Sequence, residues 1–163
     1  MFIIDERHKG TVTNKMFLLL AVILSGCSAG EKINLPPNIH IVAPGPGVPK
    51  ELAAFSGKWT GAWVARSQSR QRSRDHVLIV EEIRGTTANV VMAWGAGFQI
   101  EDTVNRMPAW LRVTGRFVDG VLRINFPALG VIVTYRMVSN DTIDGSLEQK
   151  GDRFTARMTR TID

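Results

Sequence analysis

From residue 58 onward, apolar and polar positions alternate with a period of two. Leu122, Ile124 and Phe126 fall on one side of their segment and Val121, Arg123 and Asn125 on the other. Val131, Val133, Tyr135 and Met137 oppose Ile132, Thr134 and Arg136 in the same way. Successive side chains of a strand point to opposite faces, so this pattern marks strands with one buried side. It predicts strands at about 58–66, 76–84, 88–95, 110–118, 121–126, 131–138, 142–149 and 153–161. The punctuation between them is turn chemistry: Arg84-Gly85-Thr86, Val118-Asp119-Gly120, Ser139-Asn140-Asp141 and Lys150-Gly151-Asp152, with Asp119-Gly120 a strong hairpin signal. No segment sustains a helical period, and helix is expected only as a short turn at 50–55. Eight short strands joined in order by tight turns predict an all-β fold, an eight-stranded antiparallel up-and-down barrel over 51–163. The interior of such a barrel is filled by side chains or holds one small ligand.

The pattern upstream is different. Met16 to Leu24 is an uninterrupted apolar run of nine residues, whereas a bilayer-spanning helix needs about twenty. Arg7, His8, Lys9 and Lys15 flank it on the N-terminal side, as in an export signal. Leu24-Ser25-Gly26-Cys27 follows directly and resembles the lipobox of bacterial lipoproteins. That resemblance implies cleavage between Gly26 and Cys27, a diacylglycerol on the Cys27 sulfur, and removal of 1–26. Asp5 and Glu6 are foreign to such a leader, and translation from an internal codon near Val12 would leave Thr13-Asn14-Lys15 as a compact basic region. Ser28 after the cysteine implies the periplasmic face of the outer membrane, within the cell envelope.

Residues 27–50 contain five of the seven prolines: Pro36, Pro37, Pro44, Pro46 and Pro49. Proline removes backbone donors and stiffens the chain toward polyproline II, so this stretch reads as a tether able to hold a domain some 60 Å (about 3.1 Å per residue) from its anchor. Asn38-Ile39-His40-Ile41-Val42 alternates enough to add to a sheet edge.

Removing 1–26 takes three basic and two acidic residues, leaving 17 against 13 and a formal charge of +4. For an exported protein this modest excess favours anionic lipid or glycan as partner over nucleic acid. With its one cysteine committed to lipid, the domain has no internal disulfide to draw on.

The first strand carries the most distinctive motif, Gly57-Lys58-Trp59-Thr60-Gly61-Ala62-Trp63, whose glycines and tryptophans share one face. Glycine within a strand marks a bend or a close approach. The motif resembles the opening of lipocalin-like, calycin-type barrels, which begin their first strand with Gly-x-Trp. The resemblance implies that Gly57, Trp59 and Trp63 close one barrel end beneath an arginine of the last strand, Arg157 or Arg160, in a cation–π contact. It implies an architecture and no particular ligand.

Two further stretches are candidates for binding. Arg66, Arg70, Arg72 and Arg74, spaced by serine and glutamine, read as a cationic loop between the first two strands whose guanidinium groups suit phosphate or carboxylate. The connection 94–110, the longest in the domain, has tryptophans at both ends, and Trp94, Phe98, Trp110 and Arg112 are expected around any site for a small hydrophobic ligand. Catalytic motifs are missing: there is no Gly-x-Ser-x-Gly elbow, His-Glu-x-x-His helix or phosphate loop. No catalytic residue, metal ligand or cofactor is assigned. Glu81 and Glu82, adjacent on a strand, are expected to face opposite sides. The chain therefore reads as a membrane-anchored envelope lipoprotein, non-enzymatic, binding a small apolar or amphipathic molecule or an envelope partner. The alternative is a barrel enzyme of lyase or isomerase type on a hydrophobic substrate, with His76 as base beside Glu81 or Asp102.

Overall fold

All eight predicted strands form, and each pairs antiparallel with its neighbours in sequence. The computed structural model describes residues 33–66, 71–96, 109–149 and 152–162, with the backbone alone for 66, 71, 72 and 152. A short helix α1 (Lys50–Ala53) precedes β1 (Gly57–Arg66), β2 (Gln71–Arg84), β3 (Thr87–Trp94), β4 (Ala109–Val118) and β5 (Val121–Phe126). A single 3-10 turn (Pro127–Leu129) leads to β6 (Val131–Ser139), β7 (Thr142–Gln149) and β8 (Asp152–Thr161). Pairing of β8 with β1, from Lys58 opposite Thr161 to Ala65 opposite Phe154, closes the barrel. The start of β1 and the turns after β2, β4 and β6 lie at one end, the base. The ends of β1, β3, β5 and β7 lie at the other, the rim.

The alternation read from sequence is the alternation observed. Leu122 and Ile124 of β5 and Val131, Val133 and Tyr135 of β6 are buried, while Arg123, Asn125, Ile132 and Arg136 are exposed. The base is closed by Trp59, which is fully buried and donates its indole N–H to the Phe55 carbonyl at 2.9 Å. Phe55 plugs the same end and meets Phe117 edge-on, with ring centroids 5.1 Å apart. Gly57 occupies a position that strains any other residue: its φ of 121° is left-handed, and a Cβ there would lie 2.8 Å from Arg160 Nη1 and push that guanidinium aside.

Three features depart from expectation. First, β2 begins at Gln71, so residues 71–75 continue the ladder instead of forming a loop; they pair with Arg66 to Ala62 of β1, whose backbone groups would otherwise lack partners. The alternation is present here, but its inward members, Arg74 and His76, are polar.

Second, a β-bulge between Val80 and Glu82 breaks the register of β2 against β3. The extra residue shifts the phase. Glu81 and Glu82 therefore both face outward, one bonded to Arg112 and the other to Arg84 and Asn89, and Ile83 returns to the core.

Third, the proline-rich segment is not a free spacer from Ile33 onward. Ile33, Leu35 and Ile39 pack on an apolar patch of the barrel's outer wall made by Val77, Ile79, Val91 and Ala93. The Val42 N–H donates to the Glu81 carbonyl at 2.7 Å, using a group the bulge leaves out of the ladder. This strap runs from the rim, where Ile33 lies beside Gly95, down to the bulge near the base. The leader, with Gly26 and Cys27, lies outside the described residues.

Candidate functional site

Polar side chains gather inside the barrel toward the rim, on the inward faces of four strands. β2 supplies Arg74 and His76, β3 Trp94, β6 Tyr135 and β7 Gln149. Arg74, His76, Tyr135 and Gln149 are all less than a tenth exposed. Such groups are costly to bury unless satisfied.

His76 is held at both ring nitrogens. Nδ1 lies 2.8 Å from the Ala93 carbonyl, which can only accept, so Nδ1 carries the proton. Nε2, 2.7 Å from the Tyr135 hydroxyl, then accepts from it. Burial lowers the His76 pKa to about 4; the adjacent Arg74 charge lowers it further and the Ala93 hydrogen bond opposes both. Burial also pushes Tyr135 well above the ordinary phenol value. Both rings are thus neutral at physiological pH. Trp63 packs over the pair, 5.2 Å from His76 and 6.1 Å from Tyr135 between centroids. Its indole reaches across to β7 because position 145 is glycine; a Cβ there would lie 2.9 Å from Trp63 Cη2.

Nearer the rim, Arg74 donates from Nε to the Gly95 carbonyl at 2.8 Å, and its guanidinium lies 5.6 Å from the centre of the Trp94 ring. Burial lowers its pKa. Two polar atoms in this region are buried without a hydrogen-bond partner among the described residues: Trp94 Nε1, a donor, and Gln149 Oε1, an acceptor. Each costs on the order of 1–3 kcal/mol in that condition.

The sequence-predicted residues separate. Trp94 faces inward, but Trp110, 41% exposed, and Arg112 stand on the outer wall. Arg112 forks onto the Glu81 carboxylate at 2.7 and 3.0 Å and reaches the Asn38 carbonyl at 3.4 Å. This fork holds the Glu81 carboxyl below its ordinary pKa, against the opposing effect of burial. Phe98, Arg70 and Asp102 lie outside the described residues, and for Arg66 and Arg72 only the backbone is placed. Arg74 belongs to the interior and not to a cationic loop. Glu81, on the outer wall, is no partner for the buried His76.

Of the two arginines considered for the base, Arg160 lies over Trp59, 4.1 Å from its centroid, whereas Arg157 points outward and forks onto Asp144 at 2.9 and 3.0 Å. Tyr135 and Gln149 belong to the site although neither lies in a recognisable motif; inward parity on β6 and β7, combined with their polarity, is the signal that marks them.

Among the described residues no group of three or more His, Cys, Asp or Glu could hold a metal ion. No family model matches the chain and no curated protein matches it. Solved structures do. A redesigned β-barrel superposes with a TM-score of 0.51 at 12% identity, covering 69% of this chain and 96% of that one. A de novo designed fluorescence-activating β-barrel gives 0.49 at 12% identity, covering 69% and 99%. Rv2717c from M. tuberculosis gives 0.42 at 13% identity, covering 71% and 99%. The likeness is one of fold alone: a small, closed barrel, here of eight antiparallel strands.

Proposed function

We propose that the mature protein is an envelope lipoprotein, anchored through a diacylglycerol on Cys27, whose barrel binds one small amphipathic molecule at the rim end of its interior without transforming it. The observation that carries the binding reading is the pair of buried atoms without a hydrogen-bond partner among the described residues, Trp94 Nε1 and Gln149 Oε1. A donor and an acceptor on opposite strands, bordered by the apolar side chains of Leu111, Phe126, Leu147 and Phe154, suit a ligand with an apolar body and a polar group able both to accept and to donate. An enzymatic reading through His76 has less support, since both its ring nitrogens are engaged and Glu81 stands on the other side of the wall.

Native mass spectrometry of the purified mature chain tests the proposal. A bound small molecule, released on denaturation, is the expected result; an empty barrel from every preparation refutes ligand binding. The intact mass of the denatured chain reports the lipid on Cys27 in the same experiment.

A further inference from the structure

The strap fixes where an anchor would attach. Ile33 is seated on the outer wall beside Gly95, just past the end of β3, and therefore at the rim. Six residue steps separate it from Cys27, and six fully extended residues span about 20 Å at most. A ten-residue strand such as β1 rises about 33 Å and, tilted 35–45° as in small barrels, covers about 25 Å along the axis. If the base faced the membrane, Ile33 would stand a full barrel length above it. The chain between Ile33 and a lipidated Cys27 is too short for that.

Charge does not decide between the ends, for the base carries exposed Asp119, Asp141 and Arg84 and the rim exposed Glu148 and Arg153. Exposed apolar side chains do not discriminate, for Trp110, Leu129 and Ile132 near the rim are matched by Val118, Val138 and Ile162 near the base. The seat of the strap and the chain length decide.

We infer that the anchored protein stands rim-down on an anionic bilayer surface, so that the barrel end holding Trp94 and Gln149 faces the lipid from which its ligand comes. This rests on the anchoring reading of Cys27. The bilayer is then both the attachment and the reservoir: an amphipathic molecule passes between leaflet and barrel without crossing bulk water.

The native tryptophans supply the test. Trp59 and Trp63 are buried and Trp94 is partly so, while Trp110 is exposed near the rim. The lipidated mature protein is reconstituted in vesicles of phosphatidylcholine and phosphatidylglycerol bearing a nitroxide on the headgroup. The Trp110 contribution is obtained by difference from Trp110→Phe. In that background, Val138→Trp places an indole on an exposed position at the base. The expected result is loss of most Trp110 emission, with the indole from Val138→Trp unaffected. Equal quenching at the two positions, or quenching at the base alone, overturns the orientation. The intact mass separates the two readings: unmodified Cys27 overturns the anchor and the orientation with it, whereas lipidated Cys27 with equal quenching overturns the orientation alone. Unchanged circular dichroism shows that each variant retains the barrel.

Discussion

The Arg160 guanidinium lies 4.1 Å from the centre of the Trp59 ring and donates to the carbonyls of Ser56 at 2.7 Å, Ala54 at 2.5 Å and Asn140 at 3.1 Å. One side chain thus covers the buried indole and satisfies three carbonyls at the base. Burying the indole itself contributes about 4–6 kcal/mol, from an aromatic area of about 150–250 Å². The cation–π contact adds about 0.5–2 kcal/mol, and a hydrogen bond to a charged donor about 1.5–3 kcal/mol. Arg160→Ala should therefore cost about 2–4 kcal/mol in urea unfolding, with Arg160→Lys recovering part. Arg157→Ala, which removes only an exposed ion pair with Asp144, should leave the midpoint unchanged. Equal losses at the two positions would contradict the assignment of Arg160 as the closing residue.

This division between Arg157 and Arg160 shows how far the sequence could be read. Period-two alternation and Gly-x-Trp specified strand number, order and the closed end, because hydrophobic burial obeys strand parity. Parity also separates Arg157 from Arg160: the two are an odd number of positions apart, so only one can share a face with Trp59, and that one is its register partner Arg160. The bulge at Glu81 was hidden, since an extra residue in a ladder leaves no mark on composition yet reverses every facing beyond it. The strap was hidden too. Its prolines argue against regular structure, but Ile33, Leu35 and Ile39 need only an apolar wall, and the outward residues Val77, Ile79, Val91 and Ala93 provide one. Those four outward apolar residues made β2 and β3 continuous hydrophobic runs, the mark of strands covered on both faces.

His76 makes stability depend on pH. Its folded pKa, about 4, is depressed from 6.5, so the folded protein keeps the ring neutral while the unfolded chain protonates it. The stabilisation is complete above pH 6.5 and declines as pH falls from there toward 4, by about 3 kcal/mol in all. Urea midpoints at pH 7.5, 6 and 5 should fall in that order for the wild type, and His76→Gln should flatten the decline over this window. A wild type with constant midpoint from pH 7 to 5 would show that His76 is not buried neutral. Glu81 and Asp144, both held below ordinary carboxyl values chiefly by their arginines, lose their contributions at lower pH.

The strap is clipped at one carboxylate. Glu81 binds Arg112 and accepts from the His40 N–H at 3.4 Å, while its carbonyl holds the Val42 N–H. Glu81→Ala should free 33–42 without opening the barrel. The amide of Val42 should exchange about tenfold faster, the equivalent of one charge-assisted hydrogen bond, while amides of Leu122 and Val133 keep their protection. Exchange rising throughout the barrel would mean that the strap is integral to the core.

Gln149 sets binding against stability. Its Oε1 is buried without a partner among the described residues, at the end of β7 where Gln149 is 4% exposed. An apolar residue of similar size removes that cost, so Gln149→Leu should raise the stability of the empty barrel by about 1–2 kcal/mol. If the orphaned acceptor exists to meet a ligand, the same substitution should abolish or sharply reduce the bound molecule seen in native mass spectra. Greater stability with loss of the ligand is the expected pair of results, because functional sites hold unsatisfied groups that a purely structural core would shed. Greater stability with the ligand retained would place the binding contacts elsewhere. Lower stability would mean that Gln149 already serves the fold through its amide nitrogen.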